Sequence, residues 1–291
     1  MLSIIVPVYN EEKNILFFLE KITHVLSKIS NYEIIFCLDP STDQSEKVIL
    51  ESIKINTNIK LIKFSRRFGQ SNCIYAGIKN ANGKICLIID IDLQDPPELI
   101  GQMYDKILQG NDCVYAKRIK RNGENKIRVG ITNLYYYLLN KFSEYEIPKN
   151  AGEFRMFSEK IINHIKISNE NNFFLRGMTS FIGFKQDKIE FERKERLIGE
   201  SKYIIGSYQG ALTGIMNFTN LIPKIAAIFA ILNLFFFFIS IFIFTNYIIA
   251  FIAISQFILG FLIYFIFKYL IEINHLTMKR PSYIIDEKIN F

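Results

Sequence analysis

Forty-three consecutive residues, Ile225 to Phe267, carry no charged side chain and are interrupted only by Asn233, Ser240, Thr245-Asn246, Ser255 and Gln256. As one helix this run would be about 65 Å long, roughly twice the hydrocarbon thickness of a bilayer. Two helices turning at Thr245-Asn246, over 225–244 and 247–267, match that thickness far better. The run thus divides the chain into an expected globular domain over 1–202, an interfacial juxtamembrane helix over 203–224, a membrane hairpin within 225–271 and a tail over 272–291. Lys224 precedes the run and Lys268, Lys279 and Arg280 follow it, whereas the turn has no basic residue, so both ends are expected on the cytosolic face. Leu2 to Val8 is apolar but has no basic residue before it and leads into Tyr9-Asn10, which reads as a strand rather than a secretory signal.

Ahead of the run, short apolar segments alternate with segments of helical period. Strands are expected at Leu2 to Val8, Glu33 to Leu38, Ile59 to Phe64, Ile85 to Ile89 and Cys113 to Ala116. Helices are expected from about Glu11 to Lys28, from Asp43 to Ile55, from Gly69 to Lys79 and from Pro97 to Gln109. Such alternation predicts an α/β fold with a mostly parallel, doubly wound sheet and right-handed crossovers. Cys37, Cys73, Cys86 and Cys113 show no C-x-x-C spacing and three fall in expected strands, so they read as reduced packing residues.

One strand ends abruptly. After Cys86 to Ile89 come three carboxylates, Asp90, Asp92 and Asp95, and then Pro96-Pro97, which cannot continue a strand. The acids therefore mark a strand's carboxyl end, the edge at which open α/β sheets bind ligands. Asp90 and Asp92 flank apolar Ile91, and with the carbonyl of Gln94 they form a hard oxygen set suited to Mg²⁺ or Mn²⁺. Asp95 with Glu98 resembles a capping box with Pro96 at the first helical position. Tyr9, Glu11 and Asp39 also follow strand ends, so one crevice can collect all these residues. No glycine-rich phosphate loop accompanies them, so a nucleotide would be held through its base and ribose by acids and through its diphosphate by a metal. Lys117, Arg118, Lys120, Arg121, Lys126 and Arg128 crowd the same edge, and a net charge of +7 points to an anionic partner. No nucleic-acid motif is present, and the membrane run favours phospholipid or phosphate over nucleic acid. His24, His164 and His275 have no metal-ligand spacing.

Several stretches together resemble a family: Val6-Pro7-Val8-Tyr9-Asn10-Glu11-Glu12, Ser41-Thr42-Asp43, Phe68-Gly69-Gln70, Asp90 through Glu98, Asn150-Ala151-Gly152-Glu153-Phe154-Arg155, Phe174-Leu175-Arg176-Gly177 and Gly199-Glu200-Ser201-Lys202. The chain is similar to family 2 glycosyltransferases of the polyprenyl-phosphate type, such as dolichol-phosphate mannose synthases and bacterial bactoprenol glucosyltransferases. The resemblance implies a GT-A catalytic domain followed by two transmembrane helices. It implies that Pro7, Tyr9, Glu11, Asp39, Asp90 and Ile91 hold a UDP- or GDP-linked sugar, and that Asp90, Asp92 and Gln94 hold Mg²⁺ or Mn²⁺. Asp92, Arg118, Arg196 and Lys202 would carry catalysis, with Arg118, Arg121, Arg155 and Lys202 at the acceptor phosphate. The implied reaction is inverting transfer of one sugar to undecaprenyl or dolichyl phosphate at the cytosolic membrane face, by an integral membrane protein; a homo-oligomer is the assembly considered. Two departures stand out. Leu38-Asp39-Pro40-Ser41 replaces the family's Asp-Asp-Gly-Ser, and Glu153 stands where Asp is usual in Gly-Asp-Phe-Arg. Arg155 reads equally as an ion-pair partner of Glu153 or as an acceptor contact. A non-catalytic membrane scaffold and a processive polysaccharide synthase are the competing readings; the latter normally has more spans and a Gln-x-x-Arg-Trp motif, and this chain has no Trp.

Overall fold

A computed structural model describes residues 1–27, 29, 31–119, 126–170, 173–192 and 280–291, together with scattered positions between 214 and 273. Eight strands form one sheet in the order β7-β5-β6-β4-β1-β2-β3-β8. At its centre are β1 (Leu2–Val8), β2 (Tyr32–Leu38), β3 (Ile59–Phe64) and β4 (Ile85–Ile88), with β1 parallel to both β2 and β4, and β2 parallel to β3. All seven residues of β1 are buried, as expected of a parallel strand covered on both faces. Helices α1 (Glu12–Leu26), α2 (Ser45–Ile55) and α4 (Ile100–Leu108) cover one face, where Ile15, Phe18, Ile49 and Met103 meet Ile4, Val6 and Phe36. Helices α3 (Gln70–Asn80), α6 (Glu159–Ile167) and α7 (Leu175–Ile182) cover the other, through Ile74, Tyr75, Ile161 and Met178. Gly77 lets α3 sit close: a Cβ there would lie 2.4 Å from Ile5 Cγ2 and 2.9 Å from the Cys37 sulfur. All four cysteines are buried and free, in agreement with the sequence reading.

The sheet is larger than the alternating pattern foretold. β6 (Ala151–Phe157) inserts antiparallel between β4 and β5 (Cys113–Arg118), and β7 (Gln186–Phe191) extends β5 in parallel. Because β6 runs opposite to β4 and β5, its amino end lies beside their carboxyl ends. Outside β3 lies β8 (Ile285–Ile289), antiparallel, formed by the stretch expected to be only a tail. Its Ile-Asp-Glu-Lys-Ile sequence has the charged character of an edge strand. Helix α5 (Lys126–Phe142) follows β5 in the chain. The expected capping box does not form: Pro96 precedes a 3₁₀ turn, Pro97–Leu99, that has no side-chain cap, and buried Asp95 instead faces Arg118. Most of 225–267 lies outside the described residues, as do Arg121, Arg196 and Lys202. Among the described residues no helix is long and apolar enough to cross a membrane.

At the sheet edge opposite the acids, Glu33 gathers a buried network. Ser3 Oγ donates to its Oε1 at 2.5 Å, the Asn82 N–H at 2.7 Å, and Lys60 Nζ lies 2.7 Å from its Oε2. Burial pushes this carboxyl up, but the hydrogen bonds from Lys60, Ser3 and Asn82 outweigh it and leave the group below its ordinary value of 4.5. A depressed folded value means that the contribution is present above 4.5 and lost as pH falls through the lower folded value. Glu33→Gln is therefore expected to cost about 2 kcal/mol near neutrality. The gap to wild type should close as the pH drops below 4.5 in acid-titrated thermal melts.

Candidate functional site

The carboxyl ends of β1, β2, β4 and β5 and the amino end of β6 share one edge, and the site is built there. β4 stops at Ile88 and the chain turns through Asp90-Ile91-Asp92-Leu93, with Leu93 held at φ +56. Ile91 and Leu93 are buried beneath the turn, which leaves Asp90 and Asp92 half-buried on the crevice side. Asp92 Oδ1 accepts the Gln94 N–H at 3.2 Å, and Asp90 Oδ1 accepts from Gln70 Nε2 at 2.7 Å. Burial first, and then the negative charges of Asp92, Asp95 and Glu153, together raise the Asp90 carboxyl to about 8 against the opposing charge of Arg118.

Two arginines frame these acids. Arg118, the last residue of β5, lies 3.5 Å from Asp95 through Nη2 and lies against the backbone of Gly152, where a Cβ would come within 2.9 Å of that same nitrogen. Its Nε is buried without a hydrogen-bond partner. Arg176, on α7, reaches Glu153 Oε1 through Nε and Nη2, both at 2.8 Å, and donates from Nη1 to the Tyr136 hydroxyl at 2.7 Å. The other oxygen of Glu153, Oε2, is buried with no partner.

On the other side of the crevice Asp39 is 2% exposed and both its oxygens are engaged, Oδ1 by the Phe68 N–H at 2.9 Å and Oδ2 by the Gly69 N–H at 2.8 Å. Gly69 has φ +84, a left-handed conformation that favours glycine. The guanidinium of Arg67 lies 3.9 Å over the Tyr9 ring. Asp43 ties the turns after β1 and β2 together by accepting the Glu12 N–H at 3.1 Å and the Ser45 N–H at 3.0 Å, while Glu12 accepts the Gln44 N–H at 2.8 Å. Glu11 accepts from Asn14 Nδ2 at 2.5 Å, and Pro7 is buried in β1.

The structure thus brings Tyr9, Glu11, Asp39, Asp90, Asp92, Gln94 and Arg118 to one edge. Arg155 is not among them. It is fully buried under α7, where Nε donates to the Gly152 carbonyl at 3.1 Å, Nη1 donates to Thr179 Oγ1 at 2.8 Å, and the guanidinium faces the Tyr115 ring. The ion-pair partner of Glu153 is Arg176 instead. Gln70, Tyr136 and Arg176 received no role from the sequence, although Gln70 and Arg176 lay inside quoted motifs; only the folding of α3, α5 and α7 onto this edge reveals their contacts.

The donor set fits a hard divalent cation. Asp90, Asp92 and Gln94 follow one another on the turn after β4 and offer a hard oxygen set at the sheet edge. Among the described residues no three His, Cys, Asp or Glu side chains form a ready-made cage. A cation shared between one or two carboxylates and the oxygens of a phosphate ligand needs no such cage. Because the Asp90 value is raised above its ordinary 3.8, the folded protein keeps a proton that the unfolded chain has lost, and stability falls as pH climbs from 3.8 toward 8. In EDTA, thermal midpoints should fall over that window, and Asp90→Asn should raise the midpoint at the upper end by about 3–6 °C. Added Mn²⁺ should remove most of the wild-type fall; a wild-type midpoint flat across the window in EDTA would contradict this charge assignment.

The model of glycosyl transferase family 2 matches residues 3–166. The glycosyltransferase YkcC of Bacillus subtilis is 39% identical over 232 residues, covering 79% of this chain and 72% of that protein. A prophage bactoprenol glucosyl transferase homolog of Escherichia coli is 34% identical over 204 residues, covering 69% of this chain and 66% of that protein. Among solved structures, glucosyl-3-phosphoglycerate synthase of Mycobacterium tuberculosis, in complex with Mn²⁺, UDP-glucose and phosphoglyceric acid, matches with a TM-score of 0.52 over 74% of this chain and 77% of that chain. At 15% identity that likeness is one of fold.

Proposed function

The chain belongs to glycosyl transferase family 2 and is a glycosyltransferase, and from that premise we propose that it transfers a single sugar from a nucleotide sugar to a polyprenyl phosphate, with inversion at the anomeric carbon, at the cytosolic face of a membrane. The observation that carries this reading is the convergence of Asp90, Asp92, Gln94 and Arg118 on one sheet edge, beside Tyr9 and Asp39. A scaffold has no need of acids crowded together at a strand-end crevice.

The chemistry follows from charge. A phosphate monoester is already anionic near neutral pH, so its oxygen attacks the anomeric carbon with little help from a base. Bond formation to C1 accompanies loss of the nucleoside diphosphate from the opposite face, which turns an α-linked donor into a β-linked product. Asp90, Asp92 and Gln94 would hold a Mg²⁺ or Mn²⁺ ion, which supplies Lewis acidity for the departing diphosphate. Arg118, at the carboxyl end of β5 beside Gly152 and Asp95, would take a phosphate oxygen. Arg121, Arg196 and Lys202 are expected to join it, to align two phosphates that repel each other. Tyr9 and the Asp39-held loop would receive the nucleoside.

Membrane attachment rests on three supports. The uncharged run has the length of two spans. Described side chains within it, including Ile228, Phe235, Leu259, Ile263 and Phe267, are apolar and exposed. Finally, a chain whose residues 285–289 pair with β3 of the sheet in which it began must cross any membrane an even number of times. On α5, Ile131, Leu134 and Tyr137 are also exposed, and Lys224 lies over the Phe142 ring, so this helix is suited to lie along the same surface.

Detergent-purified protein given undecaprenyl phosphate, Mn²⁺ or Mg²⁺ and labelled UDP-glucose, GDP-mannose or UDP-N-acetylhexosamines should form a labelled lipid from one of these donors. EDTA and Asp92→Asn should abolish it. Gly152→Ala, which pushes a methyl group against Arg118, should lower kcat/KM by about 10- to 100-fold. Folded protein that makes no lipid-linked product from any donor, with dolichyl phosphate also tried, would overturn the reading.

A further inference from the structure

The loop 65–70 touches three of the residues assigned to the nucleotide. Arg67 covers Tyr9, the Phe68 and Gly69 N–H groups hold Asp39, and Gln70 donates to Asp90. What holds the loop itself comes from the far end of the sequence. The Ser65 N–H donates to the Ile284 carbonyl at 3.1 Å, just before β8. The Phe68 ring meets Phe64 edge-on at 6.1 Å, Phe64 meets Tyr283 at 6.0 Å, and Tyr283 meets Tyr75 of α3 at 6.0 Å. Tyr75 in turn stacks on Phe173 at 4.6 Å. Tyr283 is thus the middle ring of a continuous aromatic chain, reaching from the loop to the helix whose first residue holds Asp90. The segment around it is fastened at several points. Ser282 Oγ donates to the Glu170 carbonyl, Glu287 shares Lys63 with Glu46, and Asn290 Nδ2 donates to the Thr57 and Ile59 carbonyls, each at 2.8 Å.

We propose that Tyr283 is a positioning residue for the nucleotide-sugar donor: its ring wedges between Phe64 and Tyr75 and fixes loop 65–70 in the conformation that presents Tyr9, Asp39 and Asp90 together. Exposed loops with few apolar contacts order poorly on their own, and ordering one at the moment of binding weakens affinity. Ser65, Arg66 and Arg67 are exposed, so the apolar support of this loop is confined to Phe68 and the rings behind it. The segment 282–290 does not itself reach the crevice acids in any of the contacts above; it acts through the loop. The inference rests on the donor-site reading given under Proposed function.

The full-length protein in detergent tests it by calorimetric titration with UDP and with GDP in the presence of Mn²⁺, for wild type, Tyr283→Leu and Tyr283→Phe. Wild type should bind one of the two nucleotides. Tyr283→Phe, which keeps the ring, should bind it equally well, and Tyr283→Leu should bind it about tenfold more weakly. In the transfer assay, Tyr283→Leu should raise the donor KM by a similar factor while kcat and the acceptor KM stay near wild type. Equal affinities in wild type and Tyr283→Leu would overturn the proposal. So would a loss of binding confined to protein whose thermal melt shows it unfolded, because Tyr283 would then serve stability alone. Failure of wild type to bind either nucleotide would instead strike at the donor-site reading.

Discussion

Asp90, Asp92, Asp95 and Glu153 crowd four acids together at the end of β4, where burial first and the neighbouring negative charges second oppose ionisation of Asp90. Arg118 faces Asp95, Arg176 grips one oxygen of Glu153, and Gln70 supplies a donor to Asp90. Even with these partners, burial and the charges of Asp92, Asp95 and Glu153 hold the Asp90 carboxyl well above its ordinary value. An excess of buried negative charge is costly for stability and useful for function: it is the condition under which a divalent cation and its phosphate ligand bind with most effect. Three different elements, α3, β5 and α7, are committed to holding this one charge cluster.

The sheet topology explains how so many elements reach it. The parallel core of β1, β2 and β4 directs strand ends to one edge, as any doubly wound sheet does. The antiparallel insertion of β6 then brings a strand's beginning to the same edge, and with it Gly152, whose missing side chain makes room for Arg118, and Glu153. The stabilising network around Glu33 lies at the opposite edge, so the chain separates the polar cluster that holds the fold together from the one that strains it.

Much of this was legible in the residues. The alternation of buried apolar runs with helical periods located β1 to β5 and α1 to α4, and the abrupt change from Ile89 to Asp90 marked the site. Other parts were hidden for physical reasons. β6 carries Glu153 and Arg155 on one face, so a strand buried at every position but Glu153 reads as partly polar, and nothing local says that Arg176 rather than Arg155 meets Glu153. β8 reads as a charged tail because an edge strand needs backbone partners more than apolar side chains. Asp95 and Glu98 had the spacing of a capping box, but two prolines follow Asp95, the short helix starts after Pro96, and the Asp95 carboxylate faces Arg118. Asp39 was legible as a strand-end acid; that it grips two backbone N–H groups depends on the left-handed turn at Gly69, thirty residues on.

If the acid cluster is half of a cation site whose other half is the ligand's phosphates, Mn²⁺ binding followed by electron paramagnetic resonance should be weak for the protein alone, strong once UDP or GDP is present, and without that gain in Asp92→Asn. Strong binding without nucleotide, or a gain that survives Asp92→Asn, would contradict it.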